Sequence, residues 1–115
     1  MSRVIGQEGE ELALKFLQEK GYKLVERNFT TRLGEIDLIM KEEETLVFVE
    51  VKYYGPTNYA DAHLSLTSSK KSKLRKTINV YLARLNKEIP ARFDVVIITK
   101  DNSGNNIEHF EGVEL

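Results

Sequence analysis

The sequence predicts an α/β fold, a mixed sheet flanked by helices in the order αβββαβ, within one domain spanning residues 1–115. Three observations lead there. Glu35–Met40 and Leu46–Tyr53 are two runs dense in Ile, Val, Leu and Phe around a short acidic turn, the pattern of an antiparallel hairpin. Glu8–Lys20 and the stretch from Ser68 to about Asn86 carry apolar residues at helical spacing. Arg92–Thr99 is a further run, strongly apolar and strand-like.

Taken in order, the first helix presents Leu12, Ala13, Phe16 and Leu17 as one stripe and stops at Gly21. Glu8, Glu10 and Glu11 stand near its expected start, where the helix dipole favours acids. Tyr22–Asn28 reads as a strand burying Tyr22, Leu24 and Val25, and Phe29–Gly34 as a polar turn. The hairpin follows. Gly55–Thr67 holds a Gly-Pro pair and little periodicity, which reads as a loop with a short turn near Asp61–Leu64. Tyr53, Tyr54 and Tyr59 beside it suit either a core edge or stacking on exposed bases. Ser68 or Ser69 can cap the second helix, whose stripe is Leu74, Ile78, Tyr81, Leu82 and Leu85. After the strand Arg92–Thr99, Asp101–Asn106 is a turn and Ile107–Phe110 a short edge strand. His63 and His109 lack ligand spacing.

Composition narrows the function classes. The 115 residues include no cysteine, which excludes disulfides and thiolate metal sites. No run approaches the roughly 20 apolar residues of a membrane span, and the N-terminus lacks the apolar core of a signal peptide. A cytoplasmic protein without a membrane partner is the expectation. The formal net charge is −1, but residues 1–50 carry 7 basic and 11 acidic side chains against 10 and 7 in residues 51–115. That asymmetry suits phosphodiester binding beside an acidic site, and chance alone can also produce it.

The charges inside the hairpin are the informative feature. In the second strand Leu46, Phe48, Glu50 and Lys52 share one face and Val47, Val49 and Val51 the other. A strand apolar on both faces is a central one, so Glu50 and Lys52 sit at the end of a buried strand. Burying charges costs several kcal/mol unless they are paired or bind a metal. If Glu42–Thr45 form a four-residue loop, Lys41 pairs with Leu46, which sets Asp37 opposite Glu50 and Glu35 opposite Lys52. Opposed Cβ atoms lie roughly 4.5–5.5 Å apart, within reach of one divalent cation. An odd-length loop would place the two carboxylates on opposite faces.

The order Asp37, then Glu50-x-Lys52, is the PD-(D/E)xK nuclease pattern. More closely, the stretches Gly6–Ala13, Gly21-Tyr22, Arg27-Asn28, Gly34–Ile39, Phe48–Lys52 and Arg92–Val96 resemble the YraN-like family of small bacterial proteins. That resemblance implies a restriction-endonuclease-like core similar to archaeal-type Holliday junction resolvases, which act as dimers. It implies that Asp37, Glu50 and the Val51 backbone carbonyl hold Mg²⁺ or Mn²⁺, that Lys52 is catalytic, and that Glu10 from the first helix completes the site. Ile36 stands where the wider pattern has Pro. Tyr53-Tyr54 stands where the family often has Thr-Arg, so any role of that Arg does not transfer.

Lys70, Lys71, Lys73, Arg75 and Lys76 crowd the first turns of the second helix, where cations oppose the dipole. They are candidate phosphate contacts for a nucleic acid, with DNA the favoured partner; a solvated basic face is the competing reading. Three functions therefore stand: a metal-dependent nuclease acting on DNA, with branched or junction DNA the implied class; a non-catalytic nucleic-acid-binding module of the same fold; and a protein-interaction domain.

Overall fold

The computed structural model describes residues 3–55 and 66–115. They form α1 (Arg3–Glu19), β1 (Lys23–Thr31), β2 (Gly34–Glu42), β3 (Thr45–Tyr54), α2 (Ser68–Ala83), β4 (Ala91–Asp101) and β5 (Gly104–Phe110). The expected turn at Asp61–Leu64, Tyr59 and His63 lie outside the described residues.

The five strands make one mixed sheet in the order β1-β2-β3-β4-β5. Every neighbouring pair is antiparallel except β3 and β4, which α2 joins as parallel strands. Central β3 is therefore covered on both faces, as its two-sided apolar pattern requires. On one face Val47, Val49 and Tyr53 pack with Ala13, Leu14 and Leu17 of α1. On the other, Leu46 and Phe48 pack with Leu74, Ile78 and Tyr81 of α2. Gly9 lets α1 lie directly on β3, since a Cβ there would stand 2.9 Å from Tyr53 Cβ. Among the described residues no helix is long and apolar enough to cross a membrane.

The hairpin register follows the sequence count. Lys41 pairs with Leu46, Met40 with Val47 and Leu38 with Val49. The ladder also includes Glu42 and Thr45, so only Glu43 and Glu44 turn the chain, with Glu43 at φ 53°.

Several local expectations need correction. α1 begins at Arg3, so Glu8, Glu10 and Glu11 lie beyond its first turn and the dipole does not explain them. Leu24 and Val25 are 37% and 44% exposed, because β1 is an edge strand with a bulge between Leu24 and Glu26. The cap of α2 is Thr67, whose hydroxyl accepts the Lys70 N–H at 3.1 Å; Ser68 and Ser69 are already helical. The last strand runs over Gly104–Phe110, longer than the expected Ile107–Phe110.

His109 is not isolated. Its Nε2 lies 2.8 Å from Asp94 Oδ2, and its ring meets Phe16 and Tyr22 edge-on. Asp94 is fully buried and also accepts from Arg92 Nε and the Gly112 N–H, both at 3.0 Å. Arg92 continues outward to Glu42, Glu111 and the Tyr22 hydroxyl. Burial alone would raise the Asp94 pKa, but the His109, Arg92 and Gly112 hydrogen bonds hold it below the ordinary carboxylate value. This network ties β4 and β5 to the end of α1. Asp94→Ala leaves its donors unmatched, and urea denaturation should show a loss of roughly 3–5 kcal/mol. Val25→Thr on the exposed edge should stay within about 0.5 kcal/mol of the parent.

Candidate metal and nucleic-acid site

Asp37 stands at a break in the sheet. The β1–β2 ladder pairs Arg27 with Leu38 and Phe29 with Ile36, but has no pair at Asn28 and Asp37. Asn28 adopts φ 51°, the left-handed region that Asn tolerates better than most residues. Residues two apart in a regular strand share a face. Ile36 and Leu38 instead join the clusters on opposite sides of the sheet. The Asp37 side chain emerges at this switch, and its Oδ2 accepts the Val51 N–H at 2.8 Å. A residue's N–H and C=O point to the same side of a strand. The Val51 carbonyl accordingly faces the gap that opens where the β2–β3 ladder ends.

Three further carboxylates converge here. One oxygen each from Glu10, Glu35 and Asp37 lies within 4.8 Å of the others. The Asn28 side-chain amide donates to both Glu10 and Glu35, at 2.9 and 3.0 Å, and so keeps two like charges close. Glu50 adjoins Asp37 and shares a side-chain hydrogen bond with it. The Glu50 side chain is only 8% exposed, and Lys70 Nζ sits 2.5 Å from its Oε2. Burial first, and the Glu50 charge second, push the Asp37 carboxyl up to about 8, against the lowering effect of the Val51 N–H.

Glu35, Asp37 and Glu50 line a cleft of about 490 Å³ together with Gly34 and Val51 of the sheet and Thr67, Ser69, Lys70, Lys73 and Leu74 at the start of α2; Glu10 is not among its lining residues. The five cations of α2 thus divide. Lys70 and Lys73 face the cleft, while Arg75 donates to the Leu115 carbonyl at 3.0 Å. Lys71 and Lys76 are not among the cleft-lining residues. Burial would lower the Lys70 pKa, but its bond to Glu50 raises it. Lys52 is lowered by burial and then by the nearby Lys70 charge, with Glu50 opposing.

The donor set is carboxylate and carbonyl oxygen, which fits hard cations such as Mg²⁺ or Mn²⁺. Asp37, Glu50, Glu10 and Val51 would hold such an ion, and Glu35 belongs with them. Asn28 and Glu35 are site residues that the nuclease pattern does not include. Each carried a signal: Glu35 shares Asp37's strand parity, and Asn28 is a residue type suited to positive φ.

The family described as "Uncharacterised protein family UPF0102" matches residues 9–98. A UPF0102 protein of Thermodesulfovibrio yellowstonii is 42% identical over 112 residues, covering 96% of each chain. One from Nitrosococcus oceani is 43% identical over 104 residues, 89% of this chain and 84% of its own. One from Vibrio vulnificus is 46% identical over 99 residues, 84% and 81% respectively.

Asp37 gives a pH signature. Its unfolded carboxyl titrates near 4 (about 3.9), whereas the folded one holds its proton to about 8. Between those values the folded state binds the extra proton, so this group's contribution to stability falls as pH rises. Chemical denaturation from pH 4 to 8 in chelator should show a steeper decline for the parent than for Asp37→Asn. Coincident pH dependences would mean that Asp37 is not perturbed.

Proposed function

The chain belongs to the uncharacterised protein family UPF0102, and we propose that it is a divalent-metal-dependent nuclease that hydrolyses phosphodiester bonds in DNA. One observation carries this reading. Asp37, Glu50 and Glu35 line one cleft with the lysine-rich start of α2, and a Glu10 oxygen lies within 4.8 Å of Glu35 and Asp37 oxygens beside it. Carboxylates for a cation and lysines for a phosphate chain then share a space open to solvent. The element order and the parallel β3–α2–β4 unit support a restriction-endonuclease-like core. Branched or junction DNA is the substrate class that goes with that core.

In this reading Asp37, Glu50 and the Val51 carbonyl hold Mg²⁺ or Mn²⁺, with Glu10 and Glu35 completing the shell directly or through water. When bound, the ion supplies an acidified water and neutralises charge growing on the phosphate. Lys52, two residues after Glu50 in β3, is the residue that would orient that water or meet a phosphate oxygen; it is not among the residues that line the cleft. Lys73 contacts the phosphate backbone from inside the cleft. Lys71 and Lys76 extend that surface along α2. Arg75, whose guanidinium donates to the Leu115 carbonyl, contributes less.

A binding module without turnover is the second reading, and the engagement of Glu50 by Lys70 favours it. Labelled four-way junction, duplex, flap and single strand, each incubated with Mg²⁺ or Mn²⁺, separate the two. The nuclease reading expects cleavage of at least one substrate, reduced on the order of 100-fold or more in Asp37→Ala and Glu50→Ala. Cleavage that survives both substitutions rules out this site. Salt-sensitive binding without product supports the module. Replacing Lys71, Lys73 and Lys76 by Ala should flatten the log–log salt dependence of duplex binding by roughly one unit per lost contact. An unchanged slope removes α2 from the binding surface.

A further inference from the structure

Lys70 belongs to the basic cluster that the sequence offers as phosphate contacts, but its ammonium bonds a carboxylate of the proposed metal shell. The two partners are unequal. The Glu50 side chain is 8% exposed and fixed within β3, whereas that of Lys70 is 51% exposed. A buried carboxylate needs a counter-charge, so Glu50 is the fixed member and Lys70 the movable one. The Lys70 backbone is itself anchored, because its N–H is capped by the Thr67 hydroxyl. Its long, flexible stem therefore lets the head move without disturbing α2.

A divalent cation on Glu50 would lie within a few ångströms of the Lys70 ammonium, a distance at which like charges repel strongly. The two cations therefore compete for one carboxylate. The displaced ammonium would remain in the same cleft, near Lys73 and Ser69, on the side where a phosphate chain would pass.

We propose that Lys70 is an internal counter-cation. In the free protein it neutralises Glu50, and the arriving divalent ion displaces it toward the phosphate of the substrate. This rests on the metal reading above and adds a coupling to it: the step that loads the site also releases a lysine to hold the nucleic acid. Lys70 is thus a positioning residue in the free state and a substrate contact once released.

Mn²⁺ binding, measured by calorimetry or electron paramagnetic resonance on the full chain without nucleic acid, tests the competition apart from cleavage. Lys70→Met keeps much of the stem and removes the competing charge. It should bind Mn²⁺ about tenfold more tightly than the parent. Lys70→Arg restores the charge and should bind like the parent. Lys73→Met lines the same cleft without bonding Glu50 and should change affinity by about threefold or less. Unchanged or weaker Mn²⁺ binding by Lys70→Met, with normal binding by the parent, overturns the proposal and leaves the ion pair a structural one. Binding by Lys70→Met alone supports it. No binding by any variant overturns the metal reading, and this inference with it.

Discussion

Asp37 and Glu50 bring two carboxylates together where adjacent strands part, and the surrounding groups answer that charge. Unpaired, buried carboxylates cost several kcal/mol each. The Val51 N–H holds Asp37, Lys70 neutralises Glu50, and the Asn28 amide spans Glu10 and Glu35. The start of α2 faces the same space, so the partial positive charge of a helix N-terminus adds to its lysines. Gly9 serves the arrangement from the other face of the sheet, letting α1 approach β3 closely next to Glu10.

The same sheet contains a contrasting case. Asp94 is as deeply buried as any residue in the protein, yet Arg92, His109 and the Gly112 N–H surround it, and its pKa falls. Asp37 has one backbone donor and an acidic neighbour, and its pKa rises. Asp94 is an anion whose needs are met within the fold, as suits a structural network. Asp37 is a carboxyl that its surroundings keep protonated up to about pH 8, and perturbation of that kind is common at functional sites. A divalent cation would supply what Asp37 lacks.

The sequence showed most of the scaffold because the apolar periods are strong and the hairpin turn is short. The Lys41–Leu46 pairing is the one that an even-length turn requires, and counting could not by itself exclude an odd one. Strand and helix ends were less legible. Nothing in the composition of Lys23–Thr31 marks it as an edge strand, so Leu24 and Val25 looked like core. The start of α1 was misplaced because Gly6 and Gly9 interrupt the apolar period, although Gly9 is needed for close packing. At the site, counting placed Asp37 near Glu50. It could not anticipate the break at Asn28, which depends on one residue's φ and brings Glu35 and Glu10 into the cluster. Nor could it separate Lys70 from its basic neighbours, because partners across a fold leave no local pattern.

The most direct measurement is the anomalous scattering of Mn²⁺ in crystals of the protein. The expected result is a peak bonded to Asp37 and Glu50 oxygens and facing the Val51 carbonyl, with the Lys70 ammonium moved away from Glu50. Crystals with Mn²⁺ in solution that show no peak in this cleft, or a peak that leaves Asp37 and Glu50 uncoordinated, would contradict it.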